Sequence, residues 1–182
     1  MELQKRKPNR LKNYDYSQNG AYFITICTNK RKCILSTIDN YESRAGACSC
    51  RLPNSRLAPA EIKLTKYGKI AEEQLFLLKN RFQGIIVDKY VIMPNHIHLI
   101  LIINNEQAAG ASPCPTVSDV ICAYKSLTTR LCKKIGLHEE KLFQTSFYDH
   151  IIRDDKDYSI KRKYIDKNPL KWHDDELFCE QT

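Results

Sequence analysis

The stretch Tyr90–Ile103 reads Tyr-Val-Ile-Met-Pro-Asn-His-Ile-His-Leu-Ile-Leu-Ile-Ile, and it constrains the fold more than any other part of the chain. From His96 onward it is almost continuously apolar and β-branched, which is the pattern of a strand covered on both faces and therefore central in its sheet. Ile85–Ile92 reads as a further strand, and Met93-Pro94-Asn95 between the two is turn chemistry, so the pair predicts an antiparallel hairpin. Side chains alternate along a strand, so His96 and His98 project from one face while Ile97 enters the opposite layer. Two imidazoles on one face are either solvent-facing residues of a half-exposed strand or a pair of metal ligands. On a central strand they are covered or line a site, and buried imidazoles need partners. A metal there needs at least one further ligand from elsewhere in the chain.

The rest of the chain supplies an antiparallel sheet and its helices. Ala21–Thr28, rich in aromatic and β-branched residues, predicts a first strand. Leu64–Leu78 has helical spacing through Tyr67, Ile70, Ala71, Gln74, Leu75 and Leu78, with Thr65 as N-cap. A second helix starts at Thr116–Asp119, buries Val117, Val120, Ile121, Tyr124, Leu127 and Leu131, and stops near Gly136. Gln144–Ile152 reads as a short strand or extended segment. A last helix follows Asp154-Asp155, whose charges suit a helix N-terminus, and ends at Asn168, because Pro169 disfavours helical geometry in the residue before it. The order β-α-β-β-α-(β)-α predicts an α+β fold, a ferredoxin-like antiparallel sheet with helices mainly on one face.

At 182 residues, residues 1–182 are expected to form a single domain. Within it, 1–19 reads as a basic N-terminal arm and 41–59, with Gly46, Pro53 and Pro59, as an inserted loop. Asn104–Pro115 reads as a further loop. No secretory h-region follows Met1–Lys7, and the longest apolar run, Leu99–Ile103, is far short of the ~20 residues of a membrane helix. The expectation is a cytoplasmic protein without a membrane partner. Its eight cysteines are then expected to be reduced thiols. Cys48-Ser49-Cys50 lacks the second pair that a zinc finger needs. Lys and Arg number 29 against 21 acidic residues, a net charge of +8 that favours a polyanionic partner.

The last helix offers the missing ligand. Tyr164 and Asn168 are four residues apart and share one face. An Asn carbonyl oxygen can ligate a hard cation, and the tyrosine one turn earlier then brings its hydroxyl close to that cation. The same spacing also suits a tyrosine packed in the core with its hydroxyl at the rim. Tyr124 is the main rival, but its i+4 neighbour Thr128 is a poor metal ligand, and Tyr158 is followed at i+4 by Arg162, which repels a cation.

Three blocks in this order carry a resemblance: Met-Pro-Asn-His-Ile-His on a strand, Phe147-Tyr148-Asp149-His150-Ile151-Ile152-Arg153, and Tyr164-Ile165-Asp166-Lys167-Asn168-Pro169. From about Asn13 to Lys171 the chain resembles the single-tyrosine HUH transposases with the IS200-like domain, and among them most resembles the REP-associated tyrosine transposases. The resemblance implies that His96, His98 and Asn168 hold Mg²⁺ or Mn²⁺ and that Tyr164 is the nucleophile. It implies a transposase that cleaves and rejoins single-stranded, hairpin-containing DNA through a 5′-phosphotyrosine link and a free 3′-hydroxyl. Members of that family act as monomers or as homodimers that exchange the tyrosine helix.

Arg6, Arg10, Lys12, Lys30, Arg31, Lys125, Arg130, Arg153, Arg162 and Lys167 are the residues expected to track DNA phosphates, with aromatics available for stacking. His150 is expected to make a structural hydrogen bond, and His138 and His173 to lie at the surface. Two other readings stay open from sequence: a non-catalytic DNA- or RNA-binding protein of the same fold, and a metal-dependent hydrolase in which the histidine pair activates water.

Overall fold

The computed structural model describes residues 14–39, 61–104 and 115–179. The basic arm with Arg6, Arg10 and Lys12, the 41–59 loop with Cys48 and Cys50, and most of the 104–115 loop lie outside these residues. The elements are β1 (Gly20–Cys27), β2 (Ser36–Asp39), β3 (Glu61–Leu64), α1 (Lys66–Phe76), the single turn α2 (Leu78–Arg81), β4 (Ile85–Ile92), β5 (His96–Ile103), α3 (Val117–Lys134), β6 (Tyr148–Ile152) and α4 (Asp155–Lys167). A 3₁₀ helix, Pro169–Asp174, follows α4.

The main sheet has the order β4-β5-β1-β6, with every neighbouring pair antiparallel. β5 is central, as its apolar run requires, and all but one of its residues are buried. The short β2–β3 ladder, which pairs Asp39 with Glu61, was not expected from sequence. Strands of four residues with a half-exposed pattern leave little periodicity to read.

Alternation along β1 and β5 splits the interior in two. Tyr22, Ile24, Ile26, Ile97, Leu99, Leu101 and Ile103 face α1 and α3 and make the larger core. Phe23, Ile100, Ile165 and Trp172 make a smaller core on the opposite face, beneath α4. Two of the three long helices therefore share a face, and the helix that carries Tyr164 lies alone on the other.

Both α1 and α3 begin where side-chain caps predict. Thr65 Oγ1 accepts from Gly68 N at 3.2 Å, and Thr116 and Asp119 cap each other reciprocally. Gly68 is required for a second reason: a Cβ there would lie 2.0 Å from the Leu35 carbonyl oxygen, so only glycine lets α1 approach the chain entering β2. α4 is docked differently. It has one fully buried apolar residue, Ile165, and otherwise ties itself down by charge. A bulge between Val87 and Lys89 interrupts the alternation of β4, so that Asp88 and Lys89 both reach α4. Asp88 receives Arg162 Nη1 at 3.0 and 3.1 Å, and Lys89 pairs with Asp166 at 2.6 Å. Asp157 takes His150 Nε2 at 2.7 Å from β6, the structural bond expected of that histidine.

Candidate active site

His96 and His98 lie on the α4 face of β5, both almost fully buried, with ring centroids 4.5 Å apart. Each has its Nδ1 anchored. Asn95 Nδ2 donates to the Leu177 carbonyl at 2.7 Å, which turns its Oδ1 toward His96 Nδ1 at 2.8 Å. Because Oδ1 can only accept, His96 carries its proton on Nδ1 and leaves the Nε2 lone pair free. His98 Nδ1 lies 2.8 Å from Thr25 Oγ1, its directly opposed residue on β1. Burial lowers the His96 pKa to about 4, against the opposing pull of Asp175. Burial, then the His96 charge and Lys161, push that of His98 well down. Both rings are neutral near pH 7, the state a metal ligand needs.

α4 brings the tyrosine over this pair. Tyr164 Oη is 3.4 Å from His98 Nε2 of the same chain, and its ring packs edge-on against Phe23, whose own ring stacks on His98. The side chain remains 44% exposed. Burial, followed by the Asp175 and Glu176 carboxylates, raises its pKa above the ordinary phenol value.

One turn on, Asn168 is buried, and its Nδ2 donates to Asp175 Oδ2 at 2.8 Å. Its Oδ1 has no hydrogen-bond partner among the described residues, and neither has His96 Nε2. Two orphaned buried acceptors at one spot are costly unless something electropositive joins them. The ligand atoms of His96, His98 and Asp175 lie within 4.8 Å of one another. A cation bonded to each at about 2.1 Å closes that distance with small shifts. Two imidazoles, a carboxylate and an amide oxygen therefore fit a divalent cation, and the nitrogen content suits Mn²⁺ better than Mg²⁺.

Asp175 was not among the residues singled out from sequence. Pro169 does end α4, but it then occupies the first turn of the 3₁₀ helix, and that helix folds the chain back. Trp172 packs on His96 at 5.9 Å between centroids, and Asp175 follows it, its Oδ1 held by Leu177 N at 2.7 Å. The chain's single Trp followed by Asp174-Asp175-Glu176 was the available signal.

An open cleft of about 900 Å³ lies along α4, lined among others by Phe23, His98, Tyr148, Lys161, Tyr164, Lys167, Asn168 and Asp175. Of the basic residues expected to meet DNA, Lys167 lines this cleft. The charge of Arg31 reaches His96 from the turn after β1. Lys30 is exposed in that turn, where both it and Arg31 adopt positive φ. Arg153 and Arg130 are exposed, Arg130 on α3. Lys125 is half-buried and donates to the Thr145 and Ser146 carbonyls at 2.8 and 3.3 Å, and Arg162 is engaged by Asp88.

Tyr124 lies on the other side of the sheet. It is fully buried and donates to the Ala71 carbonyl at 3.1 Å, and burial pushes its pKa far up. His138 and His173 are exposed as expected. Cys33 and Cys179 bring their sulfur atoms together with Cα atoms 7.3 Å apart, a pairing that the expectation of separate thiols did not include. The two lie 146 residues apart in sequence, and only the folding of the tail onto the turn after β1 brings them together. Among the described residues, no helix is long and apolar enough to cross a membrane.

The four-stranded antiparallel sheet and its helices form a fold also seen in a solved tyrosine transposase. A solved REP-associated tyrosine transposase bound to a REP hairpin superposes on 89% of this chain and 73% of its own, with a TM-score of 0.55 and 18% identity. A Deinococcus radiodurans R1 structure matches more loosely, over 87% of this chain and 95% of its own, at a TM-score of 0.44 and 17% identity. In sequence, an uncharacterized protein of Haemophilus influenzae is 29% identical over 96% of this chain and 94% of its own length. No family model matches the chain.

Proposed function

We propose that this protein is a DNA strand transferase of the REP-associated type, acting on single-stranded DNA beside a hairpin, with Tyr164 as nucleophile. The observation that carries the reading is the Tyr164 hydroxyl 3.4 Å from His98 Nε2, in a cleft lined by Asn168, whose buried Oδ1 lacks a partner among the described residues, as does the buried Nε2 of His96 beside His98. His96, His98, Asn168 and Asp175 are assigned to hold Mn²⁺ or Mg²⁺. When bound, such a cation supplies charge stabilisation for the non-bridging oxygens of the scissile phosphate.

The remaining chemistry belongs to the chain. Asp174, Asp175 and Glu176 line the cleft and would by themselves repel a phosphodiester, so a polyanionic substrate is compatible with this site only when that charge is offset. Tyr164 loses its phenolic proton to solvent through the open side of the cleft. Its oxygen bonds to phosphorus as the bond from phosphorus to the 3′-oxygen breaks, and the departing oxygen takes a proton to become a 3′-hydroxyl. A 5′-phosphotyrosine remains, and attack by a 3′-hydroxyl reverses the step with no nucleotide cofactor. Phe23, packed against both rings, fixes Tyr164 relative to His98.

The test is a denaturing gel of full-length protein with a labelled hairpin DNA bearing a single-stranded flank, in Mn²⁺. A covalent band that disappears in Tyr164→Phe, with hairpin binding retained, is the expected result. Binding without any band would favour a non-catalytic DNA-binding protein. A 5′-phosphate product that survives Tyr164→Phe would favour a hydrolase.

A further inference from the structure

We propose that Tyr148 and Ile160 form a nucleobase subsite, a platform on which an unpaired base neighbouring the reacting phosphate stacks. The proposal rests on the reading that the cleft takes single-stranded DNA. Its own support is the placement of exposed apolar surface. Tyr148 is 53% and Ile160 54% exposed, and both line the cleft together with Tyr164. The other strongly exposed large apolar residues among those described, Phe76, Ile86, Ile135 and Leu170, do not line it.

Strand register fixes where the platform lies. Thr25 on β1 is paired with His98 on one side and with Tyr148 on the other, so His98, Thr25 and Tyr148 form one row on the α4 face. Two strand spacings, about 10 Å, separate the backbone at His98 from that at Tyr148, within reach of a base beside the phosphate held at His98. The Tyr148 side chain makes no hydrogen bond or ring contact among the described residues and is 53% exposed, so its face is free to stack. Lys163, Lys167 and Lys171 follow at four-residue intervals, all exposed, lining the same cleft and without an ion-pair partner among the described residues. A row of unpaired cations beside an aromatic and an aliphatic face is the arrangement that grips a single strand, phosphates on one side and a base on the other. Stacking tolerates any base, so the subsite senses that a base is present and unpaired rather than which base it is.

The test is fluorescence anisotropy of full-length protein with a fluorescein-labelled hairpin DNA whose single-stranded flank carries one abasic residue, moved position by position. Tyr148→Ala is expected to weaken binding of the intact flank about ten-fold, and Tyr148→Trp to retain it. One abasic position should weaken wild-type binding to the same extent and leave Tyr148→Ala unaffected. Equal binding by wild type and Tyr148→Ala, or an equal loss from Tyr148→Ala on every abasic strand, overturns the subsite alone. Absence of binding by the wild-type protein overturns both the subsite and the reading beneath it.

Discussion

α3 and α4 cross the same sheet on opposite faces, and each carries a tyrosine that meets the sheet, yet they are built to different ends. α3 lays down a continuous apolar stripe of Val117, Val120, Ile121 and Tyr124, and Tyr124 hides its hydroxyl against the Ala71 carbonyl. α4 buries Ile165 alone, worth about 1.5–3 kcal/mol, and adds surface ion pairs that contribute little each. The face that holds the protein together is dry and apolar. The face that carries Tyr164, the histidines and the carboxylates spends its positions on polar groups and is docked with less burial. Stability and chemistry are thus assigned to different sides of one sheet.

Swapping the two tyrosines for phenylalanine tests the division directly and gives the largest expected effect. Tyr164→Phe should remove the covalent DNA adduct entirely while leaving the melting temperature close to wild type, since its side chain is half-exposed. Tyr124→Phe should do the reverse. Adduct formation persists, and urea unfolding shows a loss of about 1 kcal/mol for one buried hydrogen bond. An adduct that survives Tyr164→Phe and vanishes in Tyr124→Phe would invert the assignment.

A second contrast concerns charge on the α4 face. Asp175→Asn keeps the shape of the side chain but removes the charge nearest the two imidazoles. Mn²⁺ affinity, followed by the loss of the free-ion EPR signal, should fall at least ten-fold, because the site is left with neutral donors only. Ala or Asn changes on α3 should leave it unaffected. Unchanged Mn²⁺ binding in Asp175→Asn would return the site to the three ligands read from sequence.

Acid should also act on one face only. His96 takes its proton near pH 4 when folded and near 6.5 when unfolded, so between those values the unfolded chain binds more protons. Stability of the metal-free protein therefore falls as pH drops from about 6.5 to 4, on the order of 3 kcal/mol for this one group. Urea melts across that range should be less steep in His96→Gln, the remaining dependence belonging to His98, whose pKa burial lowers in the same direction. A dependence as steep in the variant as in the wild type would remove His96 from its origin.

The difference between the faces also explains what the sequence disclosed. The strands and the apolar helices were legible because burial imposes a period: Thr65 and Thr116 cap where expected, β4 and β5 begin and end as read, and the histidines share a face because alternation allows nothing else. Tyr164 and Asn168 share a face of α4 as their i, i+4 spacing requires, but that spacing suited a core-packed tyrosine equally well, and the roles expected of them came from the family resemblance. Asp175 was not legible, because it reaches the site through a 3₁₀ turn and a tail whose position depends on Asn95 and Trp172, contacts that leave no periodic mark. Nor was the docking of α4, which uses a bulge at Asp88 that no alternation rule predicts. The Cys33–Cys179 pair was likewise hidden, since it depends on the same returning tail.

Arg162 and Lys167 supply the smallest test and separate docking charges from DNA-facing ones. Both were expected from sequence to meet phosphate, and they lie five residues apart on α4. Asp88 engages the Arg162 guanidinium, whereas Lys167 lines the cleft and has no ion-pair partner among the described residues. Lys167→Gln should weaken hairpin DNA binding on every sequence and reduce the slope of log affinity against log salt by roughly one. Arg162→Gln should leave that slope unchanged and lower the melting temperature only slightly, as the loss of a partly exposed ion pair does. If Arg162→Gln instead reduces the slope as Lys167→Gln does, the Asp88 pair gives way to phosphate in the complex. α4 would then be held through the reaction by Ile165, Lys89 and His150, and its docking would be weaker with DNA bound than without it.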